Sequence, residues 1–193
     1  MIRYYITDRA QLGSDAALID NITAQLSAGV DMIQIRERDL CARELHALSE
    51  RVLNLPNPHG SRILLNDRTD VALAAGVHGV HLRSRSVPPF RVRAIAPADF
   101  LIGVSCHSVE DVRQAADEGA SFAVLGPISA VAGKSPAVGI QVLAEAARSV
   151  TVPVLALGGI RVEHIEACIR AGAAGVAGIS LFQERHAIDA ERR

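Results

Sequence analysis

Short apolar runs alternate with longer amphipathic stretches along the whole chain. One phrase recurs four times: a helix-like stretch ends in Gly, a small residue or Val follows, and an apolar run begins. The copies lie at 28–35, 75–82, 118–125 and 171–178, around Gly29, Gly76, Gly119 and Gly172. Gly tolerates the left-handed backbone that ends a helix, and an unbroken apolar run suits a strand covered on both faces. Successive copies are separated by about two strand–helix units, which predicts one further strand inside each interval. Apolar runs at 62–66, 100–105 and 152–157 fill those places, and 2–7 opens the chain.

Helix signals occupy the stretches between strands. Ser14 or Asp15 precedes 16–28, and Ser108 precedes Glu110 and Asp111, acids that the dipole of a first helical turn favours. The stretches 139–149 and 162–171 follow the sixth and seventh strands, and the last helix, from about Phe182, is brief. Eight strand–helix alternations predict an α/β fold, a closed (β/α)8 TIM barrel, with 1–193 as one domain and the active residues on the loops after the strands. An open doubly wound sheet is the rival architecture.

Composition narrows the picture. Hydrophobic residues make up 49% and aromatics 3% of the 193 residues, so the core is built from Ala, Val, Ile and Leu. A net charge of −1 gives no basis for a nucleic-acid surface or an electrostatic membrane anchor. No run approaches the roughly 20 apolar residues of a membrane span, and the first residues read as a strand rather than a signal peptide. Cys41, Cys106 and Cys168 are odd in number and far apart, without metal spacing, which points to a reduced cytoplasmic protein.

In a barrel, chemistry is sought where strands end, and these ends are polar. Gln34 and Arg36 share one strand face, and a basic side chain at a barrel mouth suits an anionic substrate. Alternatively, Arg36 pairs with Glu37 or a neighbouring acid. Asn66 and Asp67 either cap the next helix or offer oxygens to Mg2+ or a polar substrate. His107, next to Ser105, reads as an acid–base group or a structural histidine, and His81 carries the same two readings. Gly158-Gly159-Ile160 and Ile179-Ser180 follow strands seven and eight, where barrels of this type form phosphate cradles from backbone N–H groups. Lys134 sits on a Gly- and Ser-containing loop and reads either as a lid residue reaching over a phosphate or as part of a solvated loop.

These residues, in this order, resemble the thiamine phosphate synthase and thiazole tautomerase-like superfamily from Tyr5 to about Phe182. The matching phrases begin at Gln34, Asn66, Gly79, Gly103, Leu125, Val154 and Gly175, with Lys134 between those at Leu125 and Val154. The resemblance implies a transferase that joins a hydroxymethylpyrimidine pyrophosphate to thiazole phosphate with release of pyrophosphate. It implies that Gln34, Arg36, Arg38 and Lys134 face the pyrophosphate, that Asn66 and Asp67 serve pyrophosphate and Mg2+, and that Ser105 contacts the pyrimidine. Gly159, Ile179 and Ser180, with Gly158 beside them, hold the thiazole phosphate.

Departures from the synthase pattern are concentrated on the pyrophosphate side. Arg38 replaces a Lys, Ser86 replaces a second Mg2+-binding Asp, and Val131 and Gly133 replace two threonines before Lys134. Arg85 is placed to supply part of the missing metal charge. The tautomerase branch uses a His where this chain has Pro127, so that reading needs a relocated acid–base group such as His107. The leading expectation is a synthase-like transferase with an altered pyrophosphate and Mg2+ site. A thiazole phosphate tautomerase and a non-catalytic binder of thiazole or thiamine phosphate are the alternatives.

Overall fold

All four recurrent glycines adopt the left-handed backbone, with φ of 70°, 69°, 87° and 98° at Gly29, Gly76, Gly119 and Gly172. Each turns the chain directly into a strand. The computed structural model of the chain describes residues 1–130 and 136–184. Its strands are β1 (Ile2–Ile6), β2 (Met32–Ile35), β3 (Arg62–Asn66), β4 (Gly79–Leu82), β5 (Leu101–Cys106), β6 (Phe122–Leu125), β7 (Val154–Leu157) and β8 (Gly175–Gly178). They pair in sequence order, all in parallel, and β1 pairs with β8 to close the barrel. The doubly wound alternative is therefore excluded.

The helices between strands are α1 (Arg9–Leu12), α2 (Asp15–Ser27), α3 (Ala42–Leu53), α4 (Thr69–Ala75), α5 (Pro89–Arg93), α6 (Val109–Asp117), α7 (Gly139–Ser149) and α8 (Val162–Arg170). The expected caps form: Ser14 accepts from Ala17 N, and Ser108 accepts from Asp111 N. The short final helix α9 (Ser180–Gln183) starts two residues before the expected Phe182.

Alternation along each strand separates two apolar layers. Ile33, Ile35, Leu65, Val80, Ile102 and Ala156 point outward into the main cluster under the helices. Tyr4, Ile6, Met32, Leu64, Phe122, Val124, Leu155 and Ala177 fill the barrel itself. Two of the six aromatics lie there: Tyr4 meets Phe122 edge-on, with ring centroids 5.4 Å apart at 88°. Gly103 makes this possible, since a Cβ there would lie 2.4 Å from the Phe122 ring and 2.7 Å from His81 Nδ1.

The end of the barrel wall is pinned to its start. Gln183 accepts from Tyr5 OH at 3.1 Å and from Asp8 N at 2.8 Å, and its amide donates to Asp8 O at 3.1 Å. Asn21 and Gln25 of α2 both donate to Phe182 O. This stitching holds the β8–α9 junction, and with it Ile179 and Ser180, in place.

Candidate active site

The chain turns sharply after β2. Thr7 Oγ1 accepts from Arg36 N at 2.9 Å and donates to Glu37 Oε1 at 2.5 Å, while Arg9 N donates to Glu37 Oε2 at 3.0 Å. These contacts bury Glu37 under the β1–α1 turn and leave Arg36 at the mouth. Pairing of Arg36 with Glu37 does not occur. Arg36 is half-buried and belongs to no ion pair among the described residues. Burial, reinforced by the nearby Arg38, pushes its guanidinium below the usual value. A partly desolvated cation in no direct ion pair, with Asp8 and Glu37 acting on it only at longer range, is suited to an anion. Arg38 is exposed and borders the same cleft of about 570 Å³ as Arg36, Asp8 and Asp39.

Next to this cleft, the ends of β2 and β3 hold two oxygens in need of partners. Gln34 is 1% exposed. Its amide donates to Asn66 Oδ1 at 3.0 Å, while its Oε1 is buried without a hydrogen bond. Asp67 takes a left-handed backbone, with φ of 59°. It does not cap α4, whose N-cap is Arg68. Asp67 Oδ2 instead accepts from Arg83 Nε and a terminal Arg83 nitrogen, both at 2.5 Å, and Asp67 Oδ1 is buried and unpartnered. Arg83 had no role in the sequence reading. Its signal was position alone, since it follows β4 as Asp67 follows the adjacent β3. Arg85, the expected stand-in for metal charge, is exposed and lies off this pair.

His81 and Ser105 lie on the next two strands, β4 and β5. His81 Nε2 lies 2.9 Å from Ser105 Oγ, and its Nδ1 lies 3.2 Å from Tyr4 OH. Burial lowers His81 from the ordinary 6.5 to about 4. The native protein therefore binds fewer protons than the unfolded chain between those values, so stability falls as pH drops from 6.5 towards 4. The expected loss from this group is about 3 kcal/mol at the low end. Thermal midpoints measured across that range should fall more steeply for the wild type than for His81→Gln. His107 is exposed at the β5 end, where its Nδ1 is 2.6 Å from Gly126 O and its amide donates to Asp111 at 2.7 Å.

The corner between β7 and β8 is built differently, from main chain. Gly158 and Gly159 have φ of 93° and 65°. A Cβ on Gly158 would lie 2.7 Å from Pro127, and one on Gly159 would lie 2.8 Å from Ser129. The loop after β6 is laced to this turn, because Ile128 N donates to Leu157 O at 2.8 Å and Ser129 N to Gly158 O at 3.0 Å. The carbonyls are thus used, whereas the amides of Gly159, Ile160, Ile179 and Ser180 find no acceptor among the described residues. A cavity of about 650 Å³ opens over them. Free backbone N–H groups bordering such a cavity are suited to receive an anion.

Lys134, together with Val131 and Gly133, lies outside the described residues. Among the described residues, no group of three or more His, Cys, Asp or Glu side chains gathers as a metal cage. No helix of the described residues is long and apolar enough to cross a membrane.

The barrel and its mouth define a (β/α)8 protein with two separate sets of unpartnered polar groups, one of side chains after β2 and β3 and one of amides after β7 and β8. The family model for thiamine monophosphate synthase matches residues 3–182, and the chain belongs to that family. Thiamine-phosphate synthase of Roseiflexus sp. is 41% identical over 182 residues, covering 93% of this chain and 77% of its own. That of Roseiflexus castenholzii is 41% identical over 182 residues, covering 93% and 79%. The structure of thiamine phosphate pyrophosphorylase from Pyrococcus furiosus superposes with a TM-score of 0.85 at 28% identity, covering 97% of this chain and 89% of its own. A 3-hexulose-6-phosphate synthase structure, at 18% identity and a TM-score of 0.67, shares the fold.

Proposed function

We propose that this chain is a thiamine phosphate synthase-like transferase acting on two phosphorylated heterocycles, a hydroxymethylpyrimidine pyrophosphate and a thiazole phosphate. The observation that carries this reading is the pair of anion-receptive regions on one mouth, separated by β1 on one side and by β4–β6 on the other. The pyrophosphate lies against Arg36, Arg38, Gln34 and Asn66. The thiazole phosphate sits on the amides of Gly159, Ile179 and Ser180, next to Gly158. Ser105 meets the pyrimidine between them, and His107 and Arg85 border the bound substrates.

In the reaction, the bond between the pyrimidine methylene carbon and the pyrophosphate oxygen breaks, and the electron pair leaves with pyrophosphate. The thiazole nitrogen then donates its lone pair to that carbon, forming the thiazolium product. The residues supply positioning and charge: cations on the leaving oxygens lower the barrier to ionisation, and the amide cradle aims the nucleophile.

Mg2+ fits this site as a partly protein-held ion. It commonly takes one or two carboxylates and completes its shell with water and substrate phosphates. Asp67 Oδ1, buried and without a partner, is the atom that would hold it, with Gln34 Oε1 as the neighbouring orphan oxygen. When bound, Mg2+ would neutralise charge on the departing pyrophosphate. Arg83 competes for the same carboxylate. Asp67→Ala should remove the Mg2+ response of the coupling rate, whereas Arg83→Gln should lower the Mg2+ concentration giving half-maximal rate by roughly fivefold, the upper end of what an ion pair with an exposed arginine is worth. Manganese binding followed by electron paramagnetic resonance should shift in the same two directions. An unchanged Mg2+ response in Asp67→Ala would count against the metal role.

The three free cysteines suit a reducing cytoplasmic setting for this small-molecule chemistry. The direct test is coupling with both substrates under Mg2+ titration. Thiamine phosphate and pyrophosphate in equal amounts are expected. Isomerisation of thiazole carboxylate phosphate without Mg2+, or saturable thiazole phosphate binding with no turnover, would replace this reading with the isomerase or the non-catalytic binder.

A further inference from the structure

A line of hydrogen bonds crosses the barrel interior from Tyr4 through His81 to Ser105, and only one order of protons satisfies it. Tyr4 is fully buried, and its hydroxyl has a single partner among the described residues, His81 Nδ1 at 3.2 Å. If Nδ1 carried the imidazole proton, it would donate to the Tyr4 oxygen. The phenolic proton would then be buried without an acceptor, at a cost of roughly 1–3 kcal/mol. With Nδ1 bare, Tyr4 donates to it and both atoms are satisfied.

The imidazole proton then sits on Nε2 and donates to Ser105 Oγ at 2.9 Å. An imidazolium would recreate the orphaned phenolic proton. Ser105 therefore receives a hydrogen bond from below, and its own hydroxyl proton has no acceptor among the described residues. Ser105 is half-buried at the mouth end of β5, and Tyr4 belongs to the apolar cluster that fills the barrel.

We propose that Tyr4 and His81 are positioning residues that fix Ser105 as a hydrogen-bond donor towards the bound heterocycle. A donor at this point selects a ring atom with a lone pair, such as a pyrimidine nitrogen, and disfavours an amino group presented there. The identity of the heterocycle rests on the function proposed above. The proton order itself is a property of the free chain.

That separation makes the test decisive for each part. Long-range 1H–15N correlation on 13C,15N-labelled wild-type protein at pH 7 should show His81 Nδ1 with a pyridine-like shift and Nε2 with a pyrrole-like shift. The opposite tautomer, or an imidazolium, overturns the proposal whether or not the chain catalyses coupling. Tyr4→Phe should leave His81 as a tautomer mixture and lower kcat/KM for the pyrimidine substrate roughly fivefold, the worth of one hydrogen bond. His81→Gln, whose amide nitrogen reaches the Nε2 position, should retain more activity than His81→Asn, whose shorter amide does not. Equal losses in the Gln and Asn variants, with Tyr4→Phe unchanged from wild type, would show that the line is structural packing only.

Discussion

Arg36→Ala should lower kcat/KM for the pyrimidine pyrophosphate by 10²–10³-fold, the scale seen when one preorganised charge-stabilising donor is removed. The expectation comes from how the side chain is held. Thr7 fixes the turn by accepting from Arg36 N at 2.9 Å, and Glu37 is occupied by Thr7 and Arg9. The Arg36 guanidinium is thus half-buried and unneutralised by any ion pair among the described residues. In such surroundings a pyrophosphate oxygen gains more than it would from an exposed arginine, where screening leaves little. Arg36→Lys should recover part of the loss, because it restores charge but not the fork geometry. Relieving a half-buried cation should leave the thermal midpoint unchanged or slightly raised, so the kinetic loss is separable from misfolding. Steady-state kinetics with each substrate varied in turn checks this, and a change within threefold would remove Arg36 from the pyrophosphate site.

Gly159→Ala is expected to lose thiazole phosphate binding by at least 100-fold, an effect larger than the added methyl group suggests. Two physical terms act together. A non-glycine residue at φ of 65° is strained, by roughly 1–2 kcal/mol for an L residue in left-handed backbone. The new Cβ would also stand 2.8 Å from Ser129 Cβ and 2.9 Å from Ser129 O. Relief requires the β6–α7 loop or the glycine turn to move, and either motion takes the free amides of Gly159 and Ile160 off target. Gly159→Asp should be worse, because it adds a carboxylate to an anion cradle. Calorimetric titration separates the cause from general damage. Thiazole phosphate should lose affinity in Gly159→Ala, while binding of the unphosphorylated thiazole alcohol, which never used the cradle, should stay close to wild type.

The two regions differ in how far the sequence revealed them. The barrel was legible because each recurrent glycine ends a helix for a local reason, the left-handed turn, and the apolar run that follows has nowhere to go but a covered sheet. The amide corner was legible for the same reason, since glycines after strand seven report a local backbone need. The side-chain region was not. Asp67 also read as a helix cap, the commoner role for such a residue, and only the pairing of β3 with β4 shows that Arg83, from the neighbouring strand end, takes one of its oxygens. Arg36 had Glu37 as its sequence neighbour, yet alternation about the turn sends the two in opposite directions and Thr7 claims the acid. Tyr4 carried no signal beyond its place in the first strand. Its partner His81 comes from β4, and strand order alone does not reveal which inward side chains meet across a barrel. Contacts between elements far apart in sequence were the illegible part, while contacts within a turn were visible.

The account rests on main-chain amides after β7 and β8 gripping a phosphoryl group. A crystal structure of the protein with thiazole phosphate tests that most directly. The phosphate oxygens should lie roughly 2.7–3.2 Å from the amide nitrogens of Gly159, Ile179 and Ser180, with the ring directed towards Ser105. A phosphate bound instead at Arg36, or a corner between β7 and β8 that stays without ligand at saturating concentration, would contradict it.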